Sequence, residues 1–114
     1  MGRTYLGEFE ELILLTVGVL HDNAYGVSVQ EEIEAQSNRK ATLSAVHASL
    51  NRLEEKGFLE SNFGGATSER GGKRKRLFKM TNAGQEALRA SRNLRDQLWD
   101  QIPEVVWNTK FQNI

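Results

Sequence analysis

The sequence predicts a mainly α-helical domain with one small β-hairpin, an α+β fold, from three observations. The 114 residues are 39% hydrophobic and 26% charged, the composition of a single compact domain rather than of a multi-domain enzyme. Apolar residues recur at helical spacing in four segments. Two short runs rich in strand-forming residues flank a glycine-rich stretch, the pattern of a hairpin.

The cellular location is indicated by two features of the sequence, the absence of cysteine and the short length of its apolar stretches. Without cysteine there is no disulfide, thiol nucleophile or zinc–thiolate site, which indicates a reducing compartment. The longest strongly apolar stretch, Leu12 to Leu20, is far shorter than the roughly 20 residues that a membrane helix needs. We therefore expect a cytoplasmic protein with no membrane segment.

The first helix is predicted over residues 8–21, and its apolar residues surround most of the helix instead of forming one stripe. Such a helix must be covered on two sides, and in so small a domain the second cover is expected from another copy of the chain. Phe9 and Leu12 are therefore candidate dimer contacts. Turn-forming residues at 22–26 separate this helix from a second, shorter one over residues 27–36.

The third helix is predicted to begin after Thr42, a favourable N-cap, and to end at Gly57. Its inward face has apolar residues at 3-4-3 spacing: Leu43, Val46, Leu50 and Leu53. Its outward face has small or hydrogen-bonding side chains and one cation: Ser44, Ala45, His47, Ala48, Ser49, Asn51 and Arg52. Small side chains permit close approach to DNA, and the polar groups can reach base edges or phosphates. The same face would equally suit an ordinary exposed helix.

A β-hairpin is predicted after Gly57, with strands over residues 58–63 and 73–80. The residues between the strands are small and rich in glycine, and basic residues follow them, so the hairpin has a basic tip. Thr81 can cap a fourth helix that ends near Pro103. One side of this helix is apolar and supplies further candidate dimer contacts: Leu94, Leu98, Trp99 and Ile102. No structure is assigned to the tail after Pro103.

The charges are segregated along the chain although the formal net charge is +0. Residues 1–36 contain one base and seven acids, residues 37–80 contain ten bases and four acids, and the remainder is balanced. This segregation indicates a basic surface for a polyanion and an acidic surface turned away from it. Charged faces that serve only solubility would also explain it.

The order of the elements is that of a winged helix-turn-helix, with residues 42–56 as the recognition helix and 59–80 as the wing. We expect Ser44, His47 and Ser49 to lie closest to the bases and Arg52 to contact phosphate. The candidate DNA-binding residues are Thr42, Ser44, His47, Ala48, Asn51 and Arg52 in the helix and Arg70, Lys73, Arg74 and Lys75 in the wing. Residues 1–81 form the expected DNA-binding part, and 82–114 the dimerisation helix and tail of the same compact unit.

Three segments of the sequence resemble the PadR family of bacterial transcriptional regulators. They are LILLTVGVL at 12–20 followed by Tyr25-Gly26, NRLEEKGFL at 51–59, and GKRKRLFKMTNAG at 72–84. The resemblance covers roughly residues 6–90, and the length is similar to that of the short-tailed group, whose C-terminal helix and first helix make the dimer. It implies a sequence-specific DNA-binding regulator that acts as a repressor. Where the family usually has tyrosine followed by proline, this sequence has His47-Ala48.

A two-fold dimer of such a protein predicts a palindromic operator. Some PadR relatives resemble drug sensors in which facing tryptophans bind flat aromatic compounds, so Trp99 is a candidate site for a small aromatic effector. The simpler interpretation, which we favour, is that Trp99 belongs to the core of the dimer interface.

Two other interpretations of the sequence stay open. The leucine-rich recognition segment would also suit a MarR-type regulator, and the whole pattern would suit a winged-helix module that binds an acidic protein. An enzyme is not indicated, because the serines and glycines match no nucleophile or phosphate-binding motif. The two histidines, His21 and His47, lack further ligands at metal-binding spacing, so neither a metal nor a cofactor is expected.

Overall fold

The computed structural model describes residues 6–64 and 74–108. Its elements in chain order are helices α1 (Glu8–Leu20), α2 (Gly26–Ser37) and α3 (Leu43–Glu55), strands β1 (Leu59–Gly64) and β2 (Lys75–Met80), and helices α4 (Asn82–Asp100) and α5 (Glu104–Trp107). A short 3₁₀ turn, His21–Asn23, leads from α1 towards α2. The mainly helical fold with one hairpin is thus confirmed, and the tail contributes a helical turn that the sequence left unassigned.

Helices α1, α2 and α3 pack around one hydrophobic core, which the base of the hairpin closes. The buried apolar side chains are Ile13, Leu14, Val17, Ala24, Val29, Ile33, Val46, Leu50, Leu53, Phe58, Leu59 and Phe78. The inward face of α3 is therefore the predicted one, since three of its four apolar residues are fully buried and Leu43 is half-buried. Burial of this apolar area is the main source of the fold's stability.

No single helix in residues 6–64 and 74–108 combines the length and the hydropathy that a membrane span requires. The segments Glu8–Asn23 and Gly26–Ser37 reach that length and composition only as a pair, and they meet at a bend of 120°.

The two strands pair antiparallel, from Leu59 opposite Met80 to Gly64 opposite Lys75. The outer edge of β2 is also held, because the Phe78 amide donates a hydrogen bond of 2.9 Å to the Ala24 carbonyl in the α1–α2 connection. Burial is concentrated at the base of the hairpin. The far end of the hairpin therefore projects past the core, beside α3.

Helix α4 begins against the core and then leaves it. The Thr81 hydroxyl caps the helix by accepting a hydrogen bond of 3.0 Å from the Gly84 amide. Gly84 is buried so tightly that a Cβ there would collide with the Phe58 carbonyl oxygen, so only glycine allows this approach. From Arg92 to Asp100 every side chain of α4 is exposed. The second half of α4 is thus an arm whose side chains stay exposed although a few of them contact the rest of the chain.

Candidate nucleic-acid interface

The first half of α3 presents a surface of small and polar side chains. The Thr42 hydroxyl accepts a hydrogen bond of 3.0 Å from the Ala45 amide and so caps the helix as expected. Ser44, His47 and Ala48 are exposed, as is Thr42 itself. Ser44, His47 and Ala48 therefore share the side of α3 that is turned away from the core, and Thr42 lies at the N-terminal end of the helix.

The His47 side chain also contacts the start of α2. A Cβ added at Gly26 would lie 2.5 Å from Cε1 and 2.7 Å from Nε2 of His47. The imidazole can lie there only because residue 26 is glycine. His47 is thus oriented by α2 while it remains exposed on the surface of α3.

Ser49 corrects one expectation from the sequence. We expected it close to the DNA bases, but it is 1% exposed and lies on the inward side of α3 beside Leu50 and Leu53. Its hydroxyl accepts a hydrogen bond of 3.3 Å from Nη2 of Arg52. The buried side of α3 is therefore wider than the four apolar residues at 3-4-3 spacing indicated. The serine side chain is small enough to be buried at the edge of this side.

Arg52 is held by a carboxylate of α1. Its Nε donates to Oε2 of Glu10 at 3.1 Å, and Nζ of Lys56 donates to Oε1 of Glu10 at 2.7 Å. Glu10 also accepts a hydrogen bond of 3.1 Å from the Gly7 amide. The Glu10 side chain is only 10% exposed, whereas that of Arg52 is 54% exposed. Arg52 therefore lies on the flank of α3 that faces α1, with its exposed part at the edge of the candidate surface.

The pKa of Glu10 reflects these contacts. Burial is the largest single effect and raises the pKa, but hydrogen bonds from Lys56, the Gly7 amide and Arg52 together outweigh it. The pKa of Glu10 is consequently below its ordinary value. Glu10 is thus an ionised, nearly buried anchor for the second half of α3, and the sequence analysis did not identify it.

A second polar network connects α3 to the wing. Nη1 of Arg76 donates to Oδ1 of Asn51 at 3.1 Å, and Nη2 of Arg76 donates to Oε1 of Glu54 at 2.5 Å. The Ser61 hydroxyl accepts a hydrogen bond of 3.2 Å from Nε of Arg76 and donates one of 2.8 Å to Oε2 of Glu54. Asn51, a candidate DNA contact, therefore belongs to the junction between helix and wing. Arg76 and Glu54 were not singled out from the sequence.

Only some of the candidate basic residues of the wing are among the described residues. Arg74 is exposed at the end of the hairpin. Nζ of Lys75 lies 4.3 Å from the centroid of the Tyr25 ring, a cation–π contact that directs this lysine along the α1–α2 connection. The candidates Arg70 and Lys73 lie outside the described residues.

The acids of the first turn of α1 bind bases from three different elements. Glu8 pairs with Arg39 in the α2–α3 loop at 2.7 Å, and Glu10 binds α3 as described above. Glu11 accepts a hydrogen bond of 2.8 Å from Arg95 of α4, and its other oxygen accepts one of 2.9 Å from the hydroxyl of Ser91. The acidic residues of this turn therefore pair within the molecule, where they connect α1 to the α2–α3 loop, to α3 and to α4.

The candidate dimer residues fall into two groups. Phe9 and Leu12 are half-buried against the core of their own chain. The exposed ones are Leu94, Leu98 and Trp99 of α4, while Ile102 is half-buried. Two exposed apolar residues of α1, Leu15 and Val19, were not selected from the sequence although they lie on the same helix as Phe9 and Leu12.

Trp99 makes an aromatic contact within its own chain. The centroids of the Trp99 and Trp107 rings are 4.9 Å apart with the rings tilted by 37°. Helix α5 therefore folds back on the end of α4. Both indoles remain largely exposed, Trp99 at 63%.

The concave surfaces beside α4 are open grooves. One lies between α1 and α4 over Leu15 and Leu88 and is bordered by Arg92. Another is lined by Leu6, Ala87 and Leu94. Within the two described ranges, no three His, Asp or Glu side chains are grouped so that they could hold a metal ion.

The match to a family profile and the likeness to solved structures identify the kind of protein. The sequence profile of the transcriptional regulator PadR-like family matches residues 14–90, more than half of the chain. No curated protein is significantly similar to the sequence.

Several solved structures share the fold. A PadR-like transcription factor from Bacteroides fragilis aligns with a TM-score of 0.67 and 19% identity, over 81% of this chain and 84% of that chain. A PadR family regulator from Eggerthella lenta aligns with a TM-score of 0.65 and 22% identity, over 87% of this chain and 86% of that one. Bacillus subtilis PadR, solved in complex with operator DNA, aligns with a TM-score of 0.58 and 19% identity, over 85% of this chain and 51% of that one.

These likenesses confirm the winged helix-turn-helix fold. The family profile covers most of α1, all of α2 and α3, the wing and the start of α4, and these include the three segments that carried the resemblance in the sequence. The chain therefore belongs to the PadR-like family of transcriptional regulators.

Proposed function

We propose that the protein is a cytoplasmic repressor that binds double-stranded DNA as a homodimer, with α3 of each copy in a major groove. The observation that carries this proposal is the position of the small, polar surface of α3 next to a hairpin with a basic end. The complex of Bacillus subtilis PadR with operator DNA supports it, since that protein shares the fold.

Each candidate residue has a proposed role that follows from its position. Thr42, Ser44, His47 and Ala48 lie closest to the base edges, because a helix approaches DNA most closely where its side chains are small. Asn51 and Arg52 lie at the sides of this surface, with the exposed part of Arg52 on phosphate. The wing supplies further phosphate contacts through Arg70, Lys73, Arg74 and Lys75. Residues 1–81 thus bind DNA, and residues 82–114 join the two copies.

The exposed apolar side of α4 supports the dimer. Leu94 and Leu98 lie four residues apart and so share one side of the helix, and neither is covered by the described part of the chain. A second copy is the simplest cover in a domain this small. Two-fold symmetry then gives a palindromic operator with half-site centres about 34–36 Å apart.

A mobility-shift assay with the DNA upstream of the protein's own gene, followed by footprinting, tests the proposal. We expect a protected palindrome with half-sites about one helical turn apart. The Lys73/Arg74/Lys75 triple alanine variant should bind operator and random DNA more weakly. The salt slope is the change in the logarithm of the affinity with the logarithm of the salt concentration. Its magnitude should fall by about 0.9 for each phosphate that the variant no longer neutralises. If the affinity and the salt slope of this variant were unchanged, the basic residues of the wing would not contact phosphate.

Failure of the whole proposal is recognisable. A protein that is strictly monomeric in sedimentation and that does not bind duplex DNA even at low salt would not be such a repressor. Specific capture of an acidic protein partner together with that result would favour the protein-binding module instead.

The exposed indole of Trp99 supports a second candidate function, the binding of a flat aromatic effector between two copies. Trp107 already occupies one side of Trp99, so an effector would have to share or displace this contact. In a Trp107→Phe variant Trp99 is the remaining tryptophan, because the chain has two. Titration with planar aromatic cations should then quench its fluorescence. No quenching would leave Trp99 as part of the interface core.

A further inference from the structure

Phe63 is an aromatic side chain left exposed near the end of the wing. It is 62% exposed although it lies on a strand of the only described sheet. Eight of the ten exposed large apolar side chains in the described residues lie on α1, α4 or α5, the helices that carry or contact the proposed dimer surface. Phe63 lies on the hairpin instead, so the proposed dimer does not explain its exposure.

The pairing of the strands places Phe63 on the side of the hairpin that faces α3. Phe63 is directly opposite Arg76 in the antiparallel register, and directly paired residues project from the same side of a sheet. Arg76 in turn reaches Asn51 and Glu54 of α3. Phe63 therefore projects from the same side of the hairpin as Arg76, the side that faces α3.

The surroundings of Phe63 combine an apolar ring with positive charge. The exposed Arg74 comes immediately before the opposing strand, two residues from Arg76, the partner of Phe63, whereas Lys75 lies over the Tyr25 ring. A DNA strand has the matching pattern, because charged phosphates alternate with deoxyribose rings whose C–H groups are apolar. An acidic peptide would match the charge of the basic side chains. It would not provide a regular apolar surface between its own charges.

We propose that Phe63 packs against a deoxyribose of the DNA strand that passes between α3 in the major groove and the wing. This inference rests on the proposed DNA-binding function. It adds an interaction with the sugar, which carries no base identity, beside the phosphate contacts of Arg74 and Lys75. The interaction therefore contributes affinity for any sequence without contributing to the salt dependence.

Phe63→Ala, Phe63→Leu and Asn62→Ala provide the test, with binding measured by fluorescence anisotropy at several salt concentrations. We expect Phe63→Ala to bind operator and random duplexes about tenfold more weakly, because alanine buries less apolar area against the sugar. Its salt slope should equal that of the wild type. Phe63→Leu should recover most of the affinity, and Asn62→Ala, exposed on the other side of the same strand, should bind as the wild type does.

Two results of the binding assay would overturn the inference. One is an unchanged affinity of Phe63→Ala. The other is a salt slope reduced by about 0.9 or more, because Phe63 would then act by arranging the basic residues. Photo-crosslinking from a benzophenone amino acid at position 63 provides an independent readout, and a lack of crosslinks to bound DNA would also contradict it. If the wild type binds no duplex at all, it is the proposed function that fails.

Discussion

At the scale of single residues, Glu10 shows how one carboxylate can fix the position of a helix. Its two oxygens accept hydrogen bonds from Arg52, Lys56 and the Gly7 amide, and its side chain is nearly buried. Removal of one partner from such a group leaves the others unsatisfied in a site with little water. Glu10 therefore stabilises the contact between α1 and the second half of α3.

We expect Glu10→Gln to lower the free energy of unfolding at pH 7 by about 2 kcal/mol, because it removes charge-assisted hydrogen bonds. Urea denaturation followed by circular dichroism measures this difference. Glu8→Gln is the matched control, since it removes a more exposed acid of the same helical turn. It should have a clearly smaller effect, and equal destabilisation by the two variants would contradict the special role of Glu10.

The Glu10→Gln variant also tests how the free energy of unfolding depends on pH. The pKa of Glu10 is lower in the folded chain than its ordinary value of 4.5, so its ionised form is favoured by folding. Its contribution to stability is therefore fully present above about pH 4.5 and is lost as the pH falls through the lower, folded pKa. The difference between the wild type and Glu10→Gln should shrink below about pH 4. A difference that stays constant down to about pH 3 would disagree with this linkage.

At the scale of elements, the junction between α3 and the hairpin distinguishes Arg76 in β2 from Arg74, which immediately precedes this strand. Arg76 is committed to Asn51, Glu54 and Ser61, whereas Arg74 is exposed. A guanidinium that is paired with a carboxylate has less charge to offer to phosphate. In the proposed complex with DNA, we therefore expect Arg76 to position the wing and Arg74 to contact a phosphate.

Arg74→Gln should weaken DNA binding and lower the salt slope by about 0.9, the effect of leaving one phosphate without its cation. Arg76→Gln should weaken binding by disturbing the angle between wing and helix, with a salt slope close to that of the wild type. The measurement is the affinity for one duplex over a series of salt concentrations. If both variants reduce the slope equally, Arg76 contacts phosphate itself.

At the scale of the whole molecule, α4 is the helix that would determine how two copies meet in the proposed dimer. It is attached to the core at Gly84 and to α1 through the hydrogen bonds that Ser91 and Arg95 donate to Glu11. Its second half carries the exposed Leu94 and Leu98. Because the recognition helix is also tied to α1, through Glu10, the direction of the α4 arm sets where α3 of each copy faces in a dimer.

Leu98→Glu should dissociate the dimer, because a carboxylate would have to be buried without a partner at the interface. We expect monomers in sedimentation velocity and loss of operator binding, with an unchanged helical content. Asn93→Glu introduces the same side chain at an exposed position away from the apolar side of α4 and should remain dimeric. A Leu98→Glu protein that is still dimeric would place the interface elsewhere.

The sequence by itself determined the positions of the four main helices, the two strands and the inward faces of the elements. These are local properties. Helical spacing, the caps at Thr42 and Thr81 and the glycine after α3 act within a few residues, so they can be identified without a partner element. The exposed candidates Thr42, Ser44, His47 and Ala48 followed from the same periodicity.

Only the tertiary structure decided which polar groups pair. Glu10 and Arg52 are 42 positions apart, and Asn51 and Arg76 are 25 apart, so no local pattern connects them. The burial of Ser49 and the contact of Trp107 with Trp99 likewise depend on how the elements approach each other. Periodicity indicates which side of a helix is polar, but a long charged side chain can reach several elements. Its partner is settled only when packing brings one of them within hydrogen-bond distance.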